Sequence, residues 1–425
     1  MPQLKVLISG AGIAGNALAL LLAKLGHSVT VVERFPLLRT NGLQVDLRGH
    51  GIEILKRMGL EPAFRTKLCP EQGTQMVDRS GKRRGFFPAN TSGEGPQSFT
   101  TEYEIMRGDF CRIMYDANKD RVKYVFGTWI ESFEQLDNHV DVIFSNGQSE
   151  QYDLLVGADG VGSQTRKMLI GGPRPGAKDP THPLGDQYVC YFTLPWPMKE
   201  DEEFIATVYM APGKRGVMTR RQNPNQLQIY LGGSSDSKLL KAARGDVEKE
   251  KQAIAEIFQG AGWRTGEMIK SLPDAKDFYC ERLAMIKLDS WRKGSVALVG
   301  DAAYCPSVQS GMGTSSSLIG AYILAGEIGR ACGEANAESP SSQNTKNAVE
   351  TALRAYESKF KPFMKDIQRG VKEESGMYPE SQFGITLMNY ATQLASLFKV
   401  DIARWMMDIK EDVKGWKLPL YEELE

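Results

Sequence analysis

The opening of the chain alternates apolar runs with glycine. Lys5-Val6-Leu7-Ile8-Ser9 is a short, β-branched run that fits a buried parallel strand. Leu18, Leu21, Leu22 and Leu25 then recur at the i, i+3, i+4, i+7 spacing of a helix face, and Val29 to Val32 form a second apolar run ended by Glu33 and Arg34. Between the first run and the helix stands Gly10-Ala11-Gly12-Ile13-Ala14-Gly15. The predicted unit is strand, glycine turn, helix, strand.

The same patterning continues along the chain. Leu43 to Leu47 alternates like a strand, and Arg48-Gly49-His50-Gly51 leads into a helix over Ile52 to Met58. Gln75 to Arg79 and Arg84 to Phe87 read as a hairpin around Ser80-Gly81, and Ala89 to Pro96 as a loop. Arg107 opens an apolar-periodic helix; Val122 to Phe126, Ile130 to Leu136 and Val140 to Phe144 follow as strands. Leu154 to Gly157 is another buried strand, running through Ala158-Asp159-Gly160 into a helix start. The proline-rich stretch Gly171 to Pro183 marks a linker, after which Tyr188 to Thr193, Phe204 to Met210, Gly216 to Thr219 and Gln226 to Leu231 predict a separate β-sheet. Asp246 to Gln259 reads as a helix. Nucleotide-type patterning returns at Ser295 to Asp301, and Thr314 to Ser317 are expected to cap a helix over Leu318 to Cys332. Glu334 to Asn347 is expected to be a mobile loop, Glu350 to Val371 a helix, and Phe383 to Ile409 a last amphipathic helical stretch packed on the body. The expectation is an α/β chain with residues 1–172 and 281–370 forming one discontinuous domain, 173–280 a β-sheet domain and 371–425 a C-terminal helical segment.

Composition narrows this picture. Lys plus Arg and Asp plus Glu both number 52 in 425 residues, so no global charge favours nucleic acid or an anionic membrane. Zero net charge is compatible with a monomer or a homodimer. The six cysteines show no CxxC spacing and the four histidines no HExxH, so neither a zinc site nor a disulfide framework is expected, and a reducing cytoplasmic setting is. Val6 to Ala23 is uncharged, but its glycines, Asn16 and the following Lys24 argue against a membrane span or signal segment.

The glycine turn is the first candidate for chemistry. In Gly10-x-Gly12-x-x-Gly15 the first glycine permits a tight turn, the second lets a pyrophosphate approach the backbone, and the third lets helix and strand pack closely. The phosphates would meet the free N–H groups at the helix start, Ile13 and Ala14 among them. Glu33 stands 18 residues after Gly15, near the distance at which an acidic side chain meets a dinucleotide ribose. A carboxylate there repels a 2′-phosphate, which favours FAD or NAD over NADP. Arg48 is read either as a contact to the cofactor phosphate or flavin edge or as a surface arginine in a turn.

Three motifs stand in order: Gly10-x-Gly12-x-x-Gly15 with Glu33-Arg34; Gly157-Ala158-Asp159-Gly160; and Gly300-Asp301-Ala302-Ala303 with Pro306 and Gly311-Met312-Gly313. Together they resemble the FAD-dependent aromatic-hydroxylase type of monooxygenase, class A, the para-hydroxybenzoate hydroxylase superfamily. The Gln44-Val45-Asp46-Leu47-Arg48 segment and the C-terminal helix most resemble the tetracycline-inactivating subgroup. The resemblance implies a Rossmann-like FAD domain of the GR2 type interleaved with the β-sheet domain, and a role in secondary metabolism. It further implies that Glu33 holds the adenosine ribose, Arg34 lies beside the adenine, and Arg107 meets the diphosphate or ribityl region. Asp46 and Arg48 fall in the cofactor set. Asp159 and Gly160 serve FAD and NADPH binding, Asp301 a ribityl hydroxyl or phosphate, and Gly311 to Gly313 the isoalloxazine. NADPH or NADH would bind transiently as reductant, O2 would be co-substrate, and a flavin C4a-hydroperoxide would pass one oxygen atom to a hydrophobic, phenolic or polycyclic small molecule. The alternatives are another reaction on the same scaffold, although the Trp-x-Trp-x-Ile signature of halogenases is absent, or a flavin-retaining protein that acts by binding. Tyr304 stands where many relatives carry His, and Thr314-Ser315 where many carry Val/Leu-Asn. No residue is singled out as the catalytic group. Tyr191, Tyr209 and Arg220 are candidates for substrate contact, the plain alternative being core or surface.

Overall fold

The computed structural model describes residues 3–40, 42–91, 100–171, 180–338, 342–371, 378–398 and 411–425. Strands Lys5–Ser9 and Ser28–Glu33 pair in parallel around helix Ile13–Lys24. They form the centre of a six-stranded sheet in the order Arg292–Lys293, Val296–Leu298, Leu154–Gly157, Lys5–Ser9, Ser28–Glu33, Lys123–Phe126. The pairings of Lys5–Ser9 with Leu154–Gly157, and of Leu154–Gly157 with Val296–Leu298, are parallel, so the three glycine motifs leave neighbouring strands at the same end. Helix Ile13–Lys24 is buried from Ile13 to Leu22 because it is sandwiched between this sheet and the helices Arg107–Asn118 and Gly313–Glu338. That is why its sequence is apolar nearly all round. A three-stranded meander, Ile130–Gln135, Val140–Phe144 and Ser149–Tyr152, flanks the sheet.

A second, seven-stranded sheet runs in the order Tyr279–Ile286, Thr181–Pro195, Gln226–Ser234, Arg215–Arg220, Ile205–Ala211, Gly73–Val77, Arg83–Pro88. It therefore draws a hairpin from the early chain and an edge strand from beyond residue 278. The hairpin joins it through parallel pairing of Gly73–Val77 with Ile205–Ala211. Alternation sorts its residues onto two faces. Tyr188, Cys190, Phe192, Tyr209, Val217 and Leu231 pack beneath helices that include Val247–Phe258 and Thr265–Ser271, while Met76, Met210 and Ile385 cluster on the other side.

Several boundaries differ from expectation. Thr181 to Pro183, expected in the linker, belong to strand Thr181–Pro195, where the register shifts between Pro183 and Tyr188 and so admits a residue that cannot donate to the ladder. The expected loop at Glu334 to Asn347 is mostly helix. Gly313–Glu338 runs on through Glu334-Ala335-Asn336-Ala337-Glu338, whose alanines and glutamates favour helix, and Ser342–Arg369 begins soon after. Thr314 to Ser317 lie inside the first turn of Gly313–Glu338 rather than ahead of it; the hydroxyls of Ser316 and Ser317 donate back to the Gly313 carbonyl, at 3.1 and 2.9 Å. The last amphipathic stretch is helical over Gln382–Leu397 and packs on the hairpin, with Thr392 and Ser396 against Gly85. Its expected continuation over 399–409, like the loop over 92–96, lies outside the described residues. No helix among the described residues is long and apolar enough to cross a membrane.

Candidate active site

The first glycine turn is built so that only glycine fits at two of its positions. Gly10 has φ +110°, and a Cβ there would stand 2.6 Å from the Ala158 carbonyl oxygen; a Cβ on Gly15 would stand 2.0 Å from the Gly10 carbonyl oxygen. The first and second motifs thus touch backbone to backbone. Glu33 closes the turn: its carboxylate accepts from the Ala11 N–H at 2.9 Å and the Phe35 N–H at 3.1 Å. Arg34 is exposed, its guanidinium 4.9 Å from the centre of the Phe35 ring.

The third motif meets the first at Gly300. A Cβ there would lie 2.8 Å from Ala14 Cβ and 3.3 Å from Ser317 Oγ, so the N-terminal turns of helices Ile13–Lys24 and Gly313–Glu338 converge on Gly300-Asp301. Arg107, the first residue of helix Arg107–Asn118, reaches the same place, with Nη2 at 3.6 Å from where a Gly12 Cβ would stand. Burial pushes the Asp301 carboxyl above its ordinary range, against the Cys305 thiol and the Arg107 charge, which pull it down. Arg166 ties the second and third motifs by donating to the Ala302 carbonyl at 3.0 Å.

Other candidate residues do local structural tasks. Asp159 accepts from Ser163 Oγ, from the N–H groups of Gln164 and Thr165 at 2.8 and 3.0 Å, and from Thr165 Oγ1, so its carboxylate caps helix Gln164–Leu169, with Gly160 in the turn between. Asp46 and Arg48 pair with each other, and Arg48, 2% exposed, also donates to Glu411 at 2.9 Å while its backbone N–H meets Ser315 Oγ at 2.9 Å. Pro306 is buried, and Gly311 turns the chain at φ +63° into Met312 and Gly313; the Met312 N–H donates to Ser310 Oγ. Tyr304 is turned into the core, between Trp291 and Phe360 with centroids 4.7 and 5.2 Å away.

The three candidates for substrate contact separate. Tyr191 lies on the sheet face opposite the helix layer, beside Tyr279 (centroids 5.4 Å) and near Arg39 and Arg107, so the space between this face and the glycine motifs is the candidate cleft. Arg220 shares that face but its charge is engaged: it is paired with the buried carboxylates of Glu71, at 2.6 Å, and Glu104. Tyr209 points the other way, donating to the Ala261 carbonyl at 2.8 Å and touching Trp263 among the helices. Glu71, Glu104, Gln44 and Tyr230 form the polar centre of the cleft face; of these only Gln44 falls in a segment the sequence singled out. Gln44 Nε2 donates to Glu104, and the Gln44 N–H faces Tyr230 Oη at 3.4 Å. Burial and the neighbouring Glu71 carboxylate push Glu104 up to about 8, although Arg220 pulls it down: one guanidinium cannot neutralise two carboxylates.

The chain resembles known proteins along nearly its whole length. The family model described as "FAD binding domain" matches residues 3–363. An FAD-dependent monooxygenase of Sarocladium schorii is 52% identical over 433 residues, covering 100% of this chain and 99% of that protein. A flavin-dependent monooxygenase of a Phoma species is 40% identical, covering 91% and 90%. The crystal structure of the tetracycline destructase Tet(51) superposes with a TM-score of 0.75 at 28% identity, covering 99% of this chain and 100% of that one. The chain belongs to the FAD-binding-domain family and is a class A, FAD-dependent flavoprotein monooxygenase.

Proposed function

We infer that the enzyme uses NADPH or NADH and O2 to insert one oxygen atom into a hydrophobic small molecule, phenolic or polycyclic. The observation that carries this reading is the convergence of two helix N-termini, Arg107 and Asp301 on Gly300, beside the face of the large sheet that bears Tyr191. Such a cleft fits FAD: the glycine turn admits a pyrophosphate against the backbone, and the helix dipoles favour its charge. Bound FAD would supply the redox chemistry with the reductant and O2.

The rest of the proposal concerns the chain's own groups. Glu33 takes the ribose hydroxyls and Arg34 flanks the adenine. Arg107 meets the diphosphate and Asp301 a ribityl hydroxyl, with Asp159 and Gly160 holding the turn beside them. The start of helix Gly313–Glu338 would hold the flavin end of the cofactor, its free N–H groups favouring negative charge there. Tyr191, with Tyr279, supplies an aromatic wall, and the sheet with its helix layer keeps water from the reacting atoms. In this reading residues 1–172 and 281–370 are the cofactor domain, lending the hairpin 73–88 and an edge strand to the substrate sheet of 173–280.

The purified protein is expected to carry oxidised-flavin absorbance and to oxidise NADPH or NADH in air. Polyphenols, anthraquinones and tetracyclines form the test panel. A compound that accelerates oxidation and gains one oxygen atom supports the proposal. A product without added oxygen points to a reductase or oxidase on the same scaffold, and bound flavin with no ligand-stimulated turnover points to a binding protein. Asp301→Ala is expected to weaken FAD retention about tenfold, the scale of one charge-assisted hydrogen bond, read as flavin per protein after gel filtration. Unchanged stoichiometry would remove Asp301 from the site.

A further inference from the structure

We propose that Cys190 and Cys280 are a redox-reactive pair that closes reversibly to a disulfide across the edge of the large sheet. The two residues are direct partners in the antiparallel register of Thr181–Pro195 with Tyr279–Ile286. Directly opposed residues in such a ladder have Cα atoms about 4.5–5.5 Å apart, inside the span of about 4.4–6.8 Å that a disulfide bridges. Their Sγ atoms are 2.7 Å apart, against roughly 2.05 Å for the bond, so the bond needs only a small movement of a strand that, among the described residues, is paired on one side alone.

The two thiols are not equivalent. Cys190 is fully buried under the helix layer, whereas Cys280 is part-exposed on the edge strand. Arg282 Nη1 donates to Cys280 Sγ at 2.8 Å, and Arg282 is itself anchored by the Leu240 carbonyl at 2.6 Å and the Glu250 carboxylate at 3.4 Å. Cys280 is therefore the sulfur that a small oxidant reaches, already held beside its partner, and Cys190 is the resolving thiol. On the opposite face of the same two strands, the neighbours Tyr191 and Tyr279 touch, with the Arg39 guanidinium 5.8 Å from the Tyr279 centroid. The crosslink ties together, from behind, the two strands that carry this aromatic wall of the cleft.

The oxidant is a peroxide. Hydrogen peroxide oxidises the Cys280 thiol to a sulfenic acid with release of one water. The Cys190 sulfur then forms the S–S bond by displacing the hydroxyl, which leaves with the Cys190 proton as a second water. Two electrons pass from the thiols to the peroxide, and a dithiol reductant returns both thiols.

The test is a peptide map of the full-length protein treated with hydrogen peroxide and alkylated after unfolding. The expected product is a crosslinked peptide pair containing residues 190 and 280, about 2 Da lighter than the two thiol peptides together and lost after dithiothreitol. In Cys280→Ser, Cys190 is expected to stay fully alkylatable after the same treatment. Both cysteines alkylated in the treated wild-type protein would overturn the proposal, as would Cys280 driven to the sulfinate with Cys190 free. Oxidation of Cys190 in the Cys280→Ser protein would overturn the assigned order. The wild-type map decides alone if that variant does not fold.

Discussion

Gly15→Ala is expected to yield protein without flavin and with a stability loss of about 3 kcal/mol, the upper range for forcing one methyl into a packed interior. The added Cβ would lie 2.0 Å from the Gly10 carbonyl oxygen and 3.4 Å from Ala158 Cβ. Neither contact is the end of a flexible side chain. Relief requires helix Ile13–Lys24 to lift from strand Lys5–Ser9, yet the helix is buried from Ile13 to Leu22 and has no free side to move toward. Any such shift also displaces the N–H groups of Ile13 and Ala14 from the phosphate position. Flavin absorbance per protein and the thermal midpoint read the two effects. A variant with wild-type flavin content would show that the turn does not set the cofactor position.

Arg220→Met is expected to cost about 3–5 kcal/mol at neutral pH, because it leaves Glu71 and Glu104 buried with their cation gone. The pH dependence identifies the cause. A carboxyl whose folded pKa is raised binds its proton more readily in the folded state, so its contribution is fully present below the unfolded value near 4.5 and is lost as pH rises through the folded one. For Glu104 in the wild-type protein that window runs from about 4.5 to about 8. Without Arg220 the Glu104 carboxyl moves up further, so the variant goes on losing stability above pH 8, where the wild-type protein levels off, and its deficit widens there. Adding Glu104→Gln should recover part of the loss. Thermal melts from pH 6 to 9.5 check this; a deficit of equal size throughout would mean lost packing instead of uncompensated charge.

The two predictions mark the range of what could be read from the chain. Gly10, Gly12, Gly15 and Glu33 lie within a segment whose strands and helix form from neighbours in sequence. Their geometry follows from steric rules for one turn, and Glu33 does reach the Ala11 N–H. Arg107 opens its helix as the pattern predicted. Arg220 presented only one of two consecutive cations at the end of an expected strand. Its partners, Glu71 and Glu104, sit 149 and 116 residues away and carry no periodic signal. Tyr191 and Tyr209 looked alike in sequence, yet alternation sends Tyr191 to the cleft and Tyr209 to the Ala261 carbonyl. The segment Glu334 to Asn347 misled because Ser and Asn suggest a loop, whereas its alanines and glutamates prolong the helix.

Local covalent sterics and periodicity thus determined the nucleotide-binding unit, the three motifs and their order, and the α/β class, because each depends on residues close in the chain. The tertiary structure decided which strands share a sheet, how the early hairpin joins the later one, which charges neutralise each other and which thiols meet. Those outcomes depend on burial and on contacts between distant segments, where desolvation makes a charge or a thiol answer to whichever group the fold places beside it.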